Sequence, residues 1–122
     1  MPIVDVLLVS DGSTQSVDGL AKAIADGLGA ELGEPPGRLW VRLLTLPSHQ
    51  YAENQATVGL DELPVFVTFL IGRPPDKQAL QAHAQAVCSA VARLTGRSST
   101  RVHVEYAPAA VGRIAFGGRL VT

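Results

Sequence analysis

Pro2-Ile3-Val4-Asp5-Val6-Leu7-Leu8-Val9 and Pro64-Val65-Phe66-Val67-Thr68-Phe69-Leu70-Ile71 decide how this chain folds. Each is a proline followed by a run of β-branched and other apolar residues, the pattern of a buried strand. Each run meets turn-forming residues: Asp11-Gly12-Ser13-Thr14 after the first and Gly72-Arg73-Pro74-Pro75-Asp76 after the second. Helical spacing follows both turns. Val17, Leu20, Ile24 and Leu28 predict one helix, ended by Gly29 or Gly33, and Leu80, Ala84, Val87, Val91 and Leu94 predict another, ended by Gly96. Pro75 suits the first turn of the second helix, with Asp76 placed to favour its dipole. A further strand closes each half, Arg38–Leu44 in the first and Arg101–Tyr106 in the second.

The halves are a repeat. R-L-W-V-R at Arg38–Arg42 aligns with R-V-H-V-E at Arg101–Glu105, a displacement of 63 residues, while the opening prolines are displaced by 62. The expected fold is α/β (α+β): two tandem β-α-β units forming one four-stranded sheet, with right-handed crossovers and both helices on one face. The units span 1–60 and 61–122 of a single domain, joined through a linker around Ser48–Leu63. The second face of the sheet has no helix left to cover it. Parallel strands are rarely exposed on one side, so a partner subunit is expected there.

Composition narrows the class. The 122 residues fit one domain, and 47% apolar against 17% charged residues argues for a packed core. Lys plus Arg is 10 and Asp plus Glu is 11, so no basic excess points to nucleic acid or an anionic membrane. Apolar runs fall short of the ~20 residues that span a bilayer. No basic segment precedes an apolar one as in a secretory signal, and a soluble, cytoplasmic protein is expected. Cys88 is the single cysteine, which excludes an internal disulfide and a cysteine-based zinc site. His49, His83 and His103 have no metal-ligand spacing, so neither metal nor cofactor is expected. His83 is expected on the helix surface. His49, Gln50, Tyr51 and Asn54 form a polar loop cluster able to line a pocket.

Pro2 has a chemical option that an internal proline lacks. If Met1 is removed, Pro2 becomes a secondary amine. An ordinary α-amine titrates at about 7.7–8.0. Desolvation and nearby cations lower that value, which makes the neutral amine a general base near pH 7. Eight of the ten cations are arginines, the better bidentate partners for carboxylates.

The initial Pro2, the repeated β-α-β unit and the run Gly112-Arg113-Ile114-Ala115-Phe116-Gly117-Gly118-Arg119-Leu120 together resemble the tautomerase superfamily, typified by 4-oxalocrotonate tautomerase and macrophage migration inhibitory factor. The Gly-rich run matches that family's G-x-x-x-x-G-G-x-L hairpin. The resemblance covers the chain apart from the linker and is to the fused, two-unit type, which implies a homotrimer. It implies that Pro2 is the catalytic base or acid and that arginines hold substrate carboxylates. Pro64 is expected at the place equivalent to Pro2, but it is internal and only starts a strand. The family's G-R sequence matches Gly72-Arg73, whereas the first unit has Asp11-Gly12 there. The strand arginine of the family falls among Arg38, Arg42, Arg101 and His103, with Arg42 preferred. A pocket residue falls at Ile114, with Phe116 close by. Gly117-Gly118 is expected to make a tight hairpin.

The implied activity is a cofactor-independent tautomerase or isomerase moving a proton in a small enol or keto carboxylate. Two alternatives stay open at this point. One is a hydratase-dehalogenase or decarboxylase of three-carbon acids, with Asp5 or Glu105 considered for activating water. The other is a non-catalytic, diverged trimer.

Overall fold

The computed structural model describes residues 2–12 and 17–122. A four-stranded sheet runs in the order β2 (Trp40–Pro47), β1 (Ile3–Ser10), β3 (Val65–Leu70), β4 (Val102–Tyr106). β1 pairs parallel with β2, β3 pairs parallel with β4, and the two central strands pair antiparallel. Helices α1 (Leu20–Leu32) and α2 (Lys77–Thr95) supply the crossovers and pack on one face. A short hairpin of β5 (Ala115–Phe116) and β6 (Arg119–Leu120) closes the chain.

Alternation of side chains across each strand explains the core. Val4, Val6 and Leu8 of β1 and Val65, Val67 and Phe69 of β3 face Ile24 and Leu28 of α1 and Val87 and Val91 of α2, all buried. The opposite face carries Asp5, Leu7, Arg42, Leu44, Phe66, Thr68, His103 and Glu105. No element of the described chain lies across it, and Leu44 is 66% exposed. Arg42 makes a bidentate pair with Asp5 on this open face, Nε to Oδ1 at 2.5 Å and Nη2 to Oδ2 at 2.8 Å. Thr68 donates to Glu105 beside it (2.7 Å).

The helix ends bear out one expectation, choosing between its two glycines, and correct two others. Gly29 lies inside α1, and Gly33 ends it with φ 69°. Val17 lies outside α1 and is exposed, because Gly19 adopts a left-handed conformation at the N-cap and starts the helix at Leu20. Pro75 precedes the N-cap of α2. Asp76 is the cap, its carboxylate accepting from the Ala79 amide (2.9 Å), and Pro75 takes no part in the first turn. Ser13 and Thr14, expected in the first turn region, lie outside the described residues.

The repeat is visible at a constant displacement of 63. Gly33 and Gly96 both cap a helix in the left-handed region. Glu34 donates its amide to Gly29, and Arg97 donates to Ala92. Arg38 donates its amide to Pro35 (3.1 Å), and Arg101 donates to Ser98 (2.9 Å). Ile3 pairs with Trp40 as Phe66 pairs with His103. This displacement also corrects the place of Pro64. A shift of 62 would map core-facing Val4 onto open-face Phe66, whereas 63 maps it onto core-facing Val67. The residue equivalent to Pro2 is therefore Val65.

The expected linker contains more of the repeat than its composition suggests. Glu53 bridges Ala56 as Phe116 bridges Arg119. Gln55, at φ 56°, takes the position held by Gly118, at φ 86°, in the C-terminal hairpin. Residues 51–56 are the first unit's counterpart of that hairpin.

Candidate active site

β1 begins beside a cavity of about 210 Å³. Ile3 of β1 and Leu70 of β3 form its floor, and Ala110, Ile114, Phe116 and Val121 of the C-terminal segment form its walls. Gly72 and Arg38 complete the lining, and Arg38 is its one charged member. Pro2 is buried immediately before Ile3.

Backbone bonds bring the C-terminal segment here. Ala107 donates to Phe69 (2.8 Å), Ala110 to Ile71 (2.9 Å) and Val111 to Gly72 (3.1 Å), which extends the edge of β3 past its end. Val121 then donates to Ile114 (2.9 Å), folding the hairpin over the start of β1. Gly117 and Gly118 both have positive φ, 56° and 86°, as a tight two-residue hairpin requires. Trp40 ties the strands to this cover. Its amide donates to the Pro2 carbonyl (3.1 Å), its indole donates to Gly37 (3.0 Å), and its ring meets Phe116 edge-on at 5.1 Å.

Of the residues singled out in the sequence, Ile114, Phe116 and the exposed Arg38 meet at this cavity; Pro2 is not in its lining and stands one residue before Ile3, which is. Arg73 directly follows Gly72 and is exposed. Arg42 and His103 are not in the lining. Arg42 is held by Asp5 on the open face, one pleat further along the sheet. His103 pairs with Phe66, toward the other end of the sheet, and its ring lies 5.4 Å from the Phe66 ring. The register of β1 with β2 and of β3 with β4 separates these side chains, and parity within single strands carried no such information.

The second unit presents a different arrangement at the equivalent end. Arg101 donates through Nη2 to Glu53 Oε2 (2.6 Å) and through Nε to the Glu62 carbonyl (2.6 Å). The Tyr51 hydroxyl donates to the same Glu53 oxygen (2.6 Å). These two donors, Tyr51 first, hold the Glu53 carboxyl below the usual carboxylate range. Arg97 closes this end by donating to the carbonyls of Leu63 (2.9 Å) and Val9 (2.8 Å). At the 63-residue displacement Tyr51 corresponds to Ile114 and Glu53 to Phe116. His49 and Tyr51 line a separate cavity of about 340 Å³ with Glu53, while Gln50 and Asn54 are exposed and outside it.

His83 is half-buried and not a surface residue. A ring nitrogen lies 2.6 Å from the Tyr106 hydroxyl and the ring meets Phe69 edge-on at 4.9 Å, and this burial lowers its pKa. The half-buried Cys88 thiol donates to the Ser99 carbonyl (3.0 Å). Among the described residues no three His, Cys, Asp or Glu side chains come together as a metal ion would need, and no helix is long and apolar enough to cross a membrane.

No protein-family model matches the chain, and no curated protein matches it. Solved structures do. The structure of Pt0534 inactivated by 2-oxo-3-pentynoate superposes with a TM-score of 0.76 at 15% identity, over 98% of this chain and 94% of that one. A fused 4-OT, described as a symmetric trimer, gives 0.71 at 14% identity, over 98% and 94%. Macrophage migration inhibitory factor from Trichinella spiralis gives 0.72 at 13% identity, over 97% and 98%. The chain has the fold of the tautomerase superfamily, in its two-unit form.

Proposed function

We propose that this chain is a cofactor-independent tautomerase acting on a small enol or keto carboxylate, with Pro2 as its general base and acid. The observation that carries the reading is the position of Pro2, buried directly before Ile3, the first residue of β1, which lines an apolar cavity with an arginine at its edge. Removal of Met1 leaves a secondary amine at that position. The neutral nitrogen takes the proton of the enol hydroxyl and, now an ammonium, delivers it to a substrate carbon as the carbonyl forms, so that the nitrogen is neutral again and the net reaction is an isomerisation with no external reactant. Burial of Pro2 favours the neutral amine. Arginine binds the carboxylate and stabilises negative charge developing on the neighbouring oxygen, and Arg73, beside Gly72, is positioned to share that task. Inactivation of Pt0534 by 2-oxo-3-pentynoate, itself a 2-oxo carboxylate, supports this substrate class.

The reading includes a homotrimer. The open sheet face leaves Leu44 exposed and Phe66 half-buried in one chain, and the fused 4-OT of the same fold is a symmetric trimer. Arg42 and His103 belong to that face and stand at or near the subunit contacts.

Ketonisation of phenylenolpyruvate and of 2-hydroxymuconate, followed by ultraviolet absorbance, tests the activity. Intact mass is expected to show loss of Met1. Pro2→Ala is expected to lower kcat/KM by at least about 100-fold. Arg73→Ala is expected to lower it by at least tenfold, about 1.4 kcal/mol. Retention of Met1 in the active protein, or full activity of Pro2→Ala, contradicts the reading.

A further inference from the structure

We propose that His83 and Tyr106 form a pH-sensitive clip on the C-terminal segment that walls the cavity at the start of β1, closed while the imidazole is neutral and loosened when it takes a proton. The inference goes beyond the functional reading above and does not need a reactive Pro2.

The place of the pair in the fold carries it. β4 ends at Tyr106, and the segment that supplies Ala110, Ile114, Phe116 and Val121 to the cavity starts with the next residue. Ala107, Ala110 and Val111 hold that segment to Phe69, Ile71 and Gly72 by one backbone bond each. Tyr106 is therefore the root of the cavity wall, and its hydroxyl lies 2.6 Å from Nδ1 of His83 on α2. Phe69 packs on both rings, with centroids 4.9 Å from the imidazole and 5.9 Å from the phenol. The internal repeat shows that the fold does not require a polar pair here. At the displacement of 63 residues His83, Tyr106 and Phe69 correspond to Leu20, Leu43 and Val6, all members of the apolar core cluster. Hydrocarbon fills these positions in the first unit, and a titratable pair replaces it in the unit whose C-terminal segment walls the cavity.

While the imidazole is neutral, one proton lies between Nδ1 and the phenol oxygen. Burial keeps the phenol protonated and disfavours the imidazolium. A second proton on the ring leaves Nδ1 unable to accept and places a charge among aromatic rings. Among the described residues, Tyr106 is the titratable group that meets the ring. Phe69 is the contact from β3, Glu105 lies on the opposite face of β4 bonded to Thr68, and the α2 residues one turn to either side of His83 are Ala79, Leu80, Ala86 and Val87. None of these offsets the new charge. Release of Tyr106 hydrates the imidazolium, so acid favours the opened segment.

Amide hydrogen exchange of the full chain, read by NMR, tests the clip. Protection of the Ala107, Ala110 and Val111 amides is measured at pH 7.5 and pH 5.5 in wild type and His83→Gln, with the intrinsic exchange rate divided out. A released imidazole titrating near the ordinary value of about 6.5 limits the pH-linked gain in opening over this range to about tenfold. Wild type is expected to lose between about twofold and tenfold of its protection at the three amides, and His83→Gln less than twofold. The exchange is expected to be insensitive to low urea, as a local opening is. Tyr106→Phe, which keeps the ring packing, is expected to show reduced protection already at pH 7.5. Unchanged protection in wild type, an equal fall in wild type and His83→Gln, full protection in Tyr106→Phe, or exchange that follows urea as global unfolding does overturns the clip. Exchange is read without turnover, so failure of the clip is a separate result from full activity of Pro2→Ala.

Discussion

Glu53 and Arg101 meet at 2.6 Å at the place where the other half of the repeat sets Phe116 and Arg38. The two ends of the sheet have the same backbone and opposite chemistry. One end is bridged by a carboxylate, a phenol and a guanidinium from the chain itself. The other presents an apolar cavity bordered by Arg38, with the buried Pro2 one residue before its lining residue Ile3.

The Glu53 carboxyl is held below its usual range by the Tyr51 hydroxyl and then by Arg101. A folded-state pKa below the unfolded value of about 4.3 stabilises the fold fully above that pH, and the contribution is lost as pH falls through the lower folded value. Glu53→Gln is therefore expected to melt below wild type at pH 7, with a smaller gap at pH 3. Thermal unfolding followed by circular dichroism at the two pH values checks this, and a gap that does not change with pH contradicts it.

His83 has the same sign for a different reason. Burial against Phe69 and Tyr106 pushes its pKa below the ordinary histidine value, so the folded state binds fewer protons than the unfolded one. Its contribution is complete above about 6.5 and declines as pH falls toward the lower folded value. The expected outcome is a fall in Tm between pH 7.5 and pH 5.5 that is smaller in His83→Gln. Titration of the ring protons by NMR gives the shift directly.

Gly33 and Gly96 both end helices in the left-handed region, at φ 69° and 70°, with open space where a Cβ would stand. Backbone conformation alone should then set the cost of alanine at either position, roughly 1–2 kcal/mol. Urea unfolding of the two single variants is expected to give similar losses. A neutral result at one position would show that its turn relaxes.

Leu44 is exposed in one chain and lies in the open-face groove with Asp5, Leu7, Phe66 and Glu105. If subunits pack on this face, Leu44→Glu buries a charge without a partner. Sedimentation should show a trimer in wild type and a shift to monomer in the variant. A trimer unaffected by the substitution would place the contact elsewhere.

Much of this architecture is legible in the residues, and the misses have identifiable causes. Ile24 and Leu28 align with Val87 and Val91 because each must fill the same position under the sheet, so burial preserves the helix pattern at 63 residues. The opening prolines misplace the first strand by one residue, because a proline is tolerated at either of two positions before a strand, whereas facing is not. The hairpin within residues 51–56 is illegible beside Ile114–Arg119. Only the alanine at 52 matches its counterpart at 115, and Gln55 adopts the positive φ that glycine marks in the later copy. Strand parity groups Arg38 with Arg42, but β2 begins only at Trp40: its pairing with β1 gives Arg42 to Asp5, and Arg38 lies in the preceding turn at the cavity's edge.

The central claim is a reactive amine at Pro2, and covalent capture tests it most directly. The protein is incubated with 2-oxo-3-pentynoate, whose alkyne adds to a neutral amine without any other reactant, and is then analysed by intact mass and peptide mapping. The account predicts one adduct per chain, on Pro2 of a chain lacking Met1, formed in step with loss of ketonisation activity. A chain that keeps Met1, remains unmodified, or carries the adduct on Cys88 instead would contradict it.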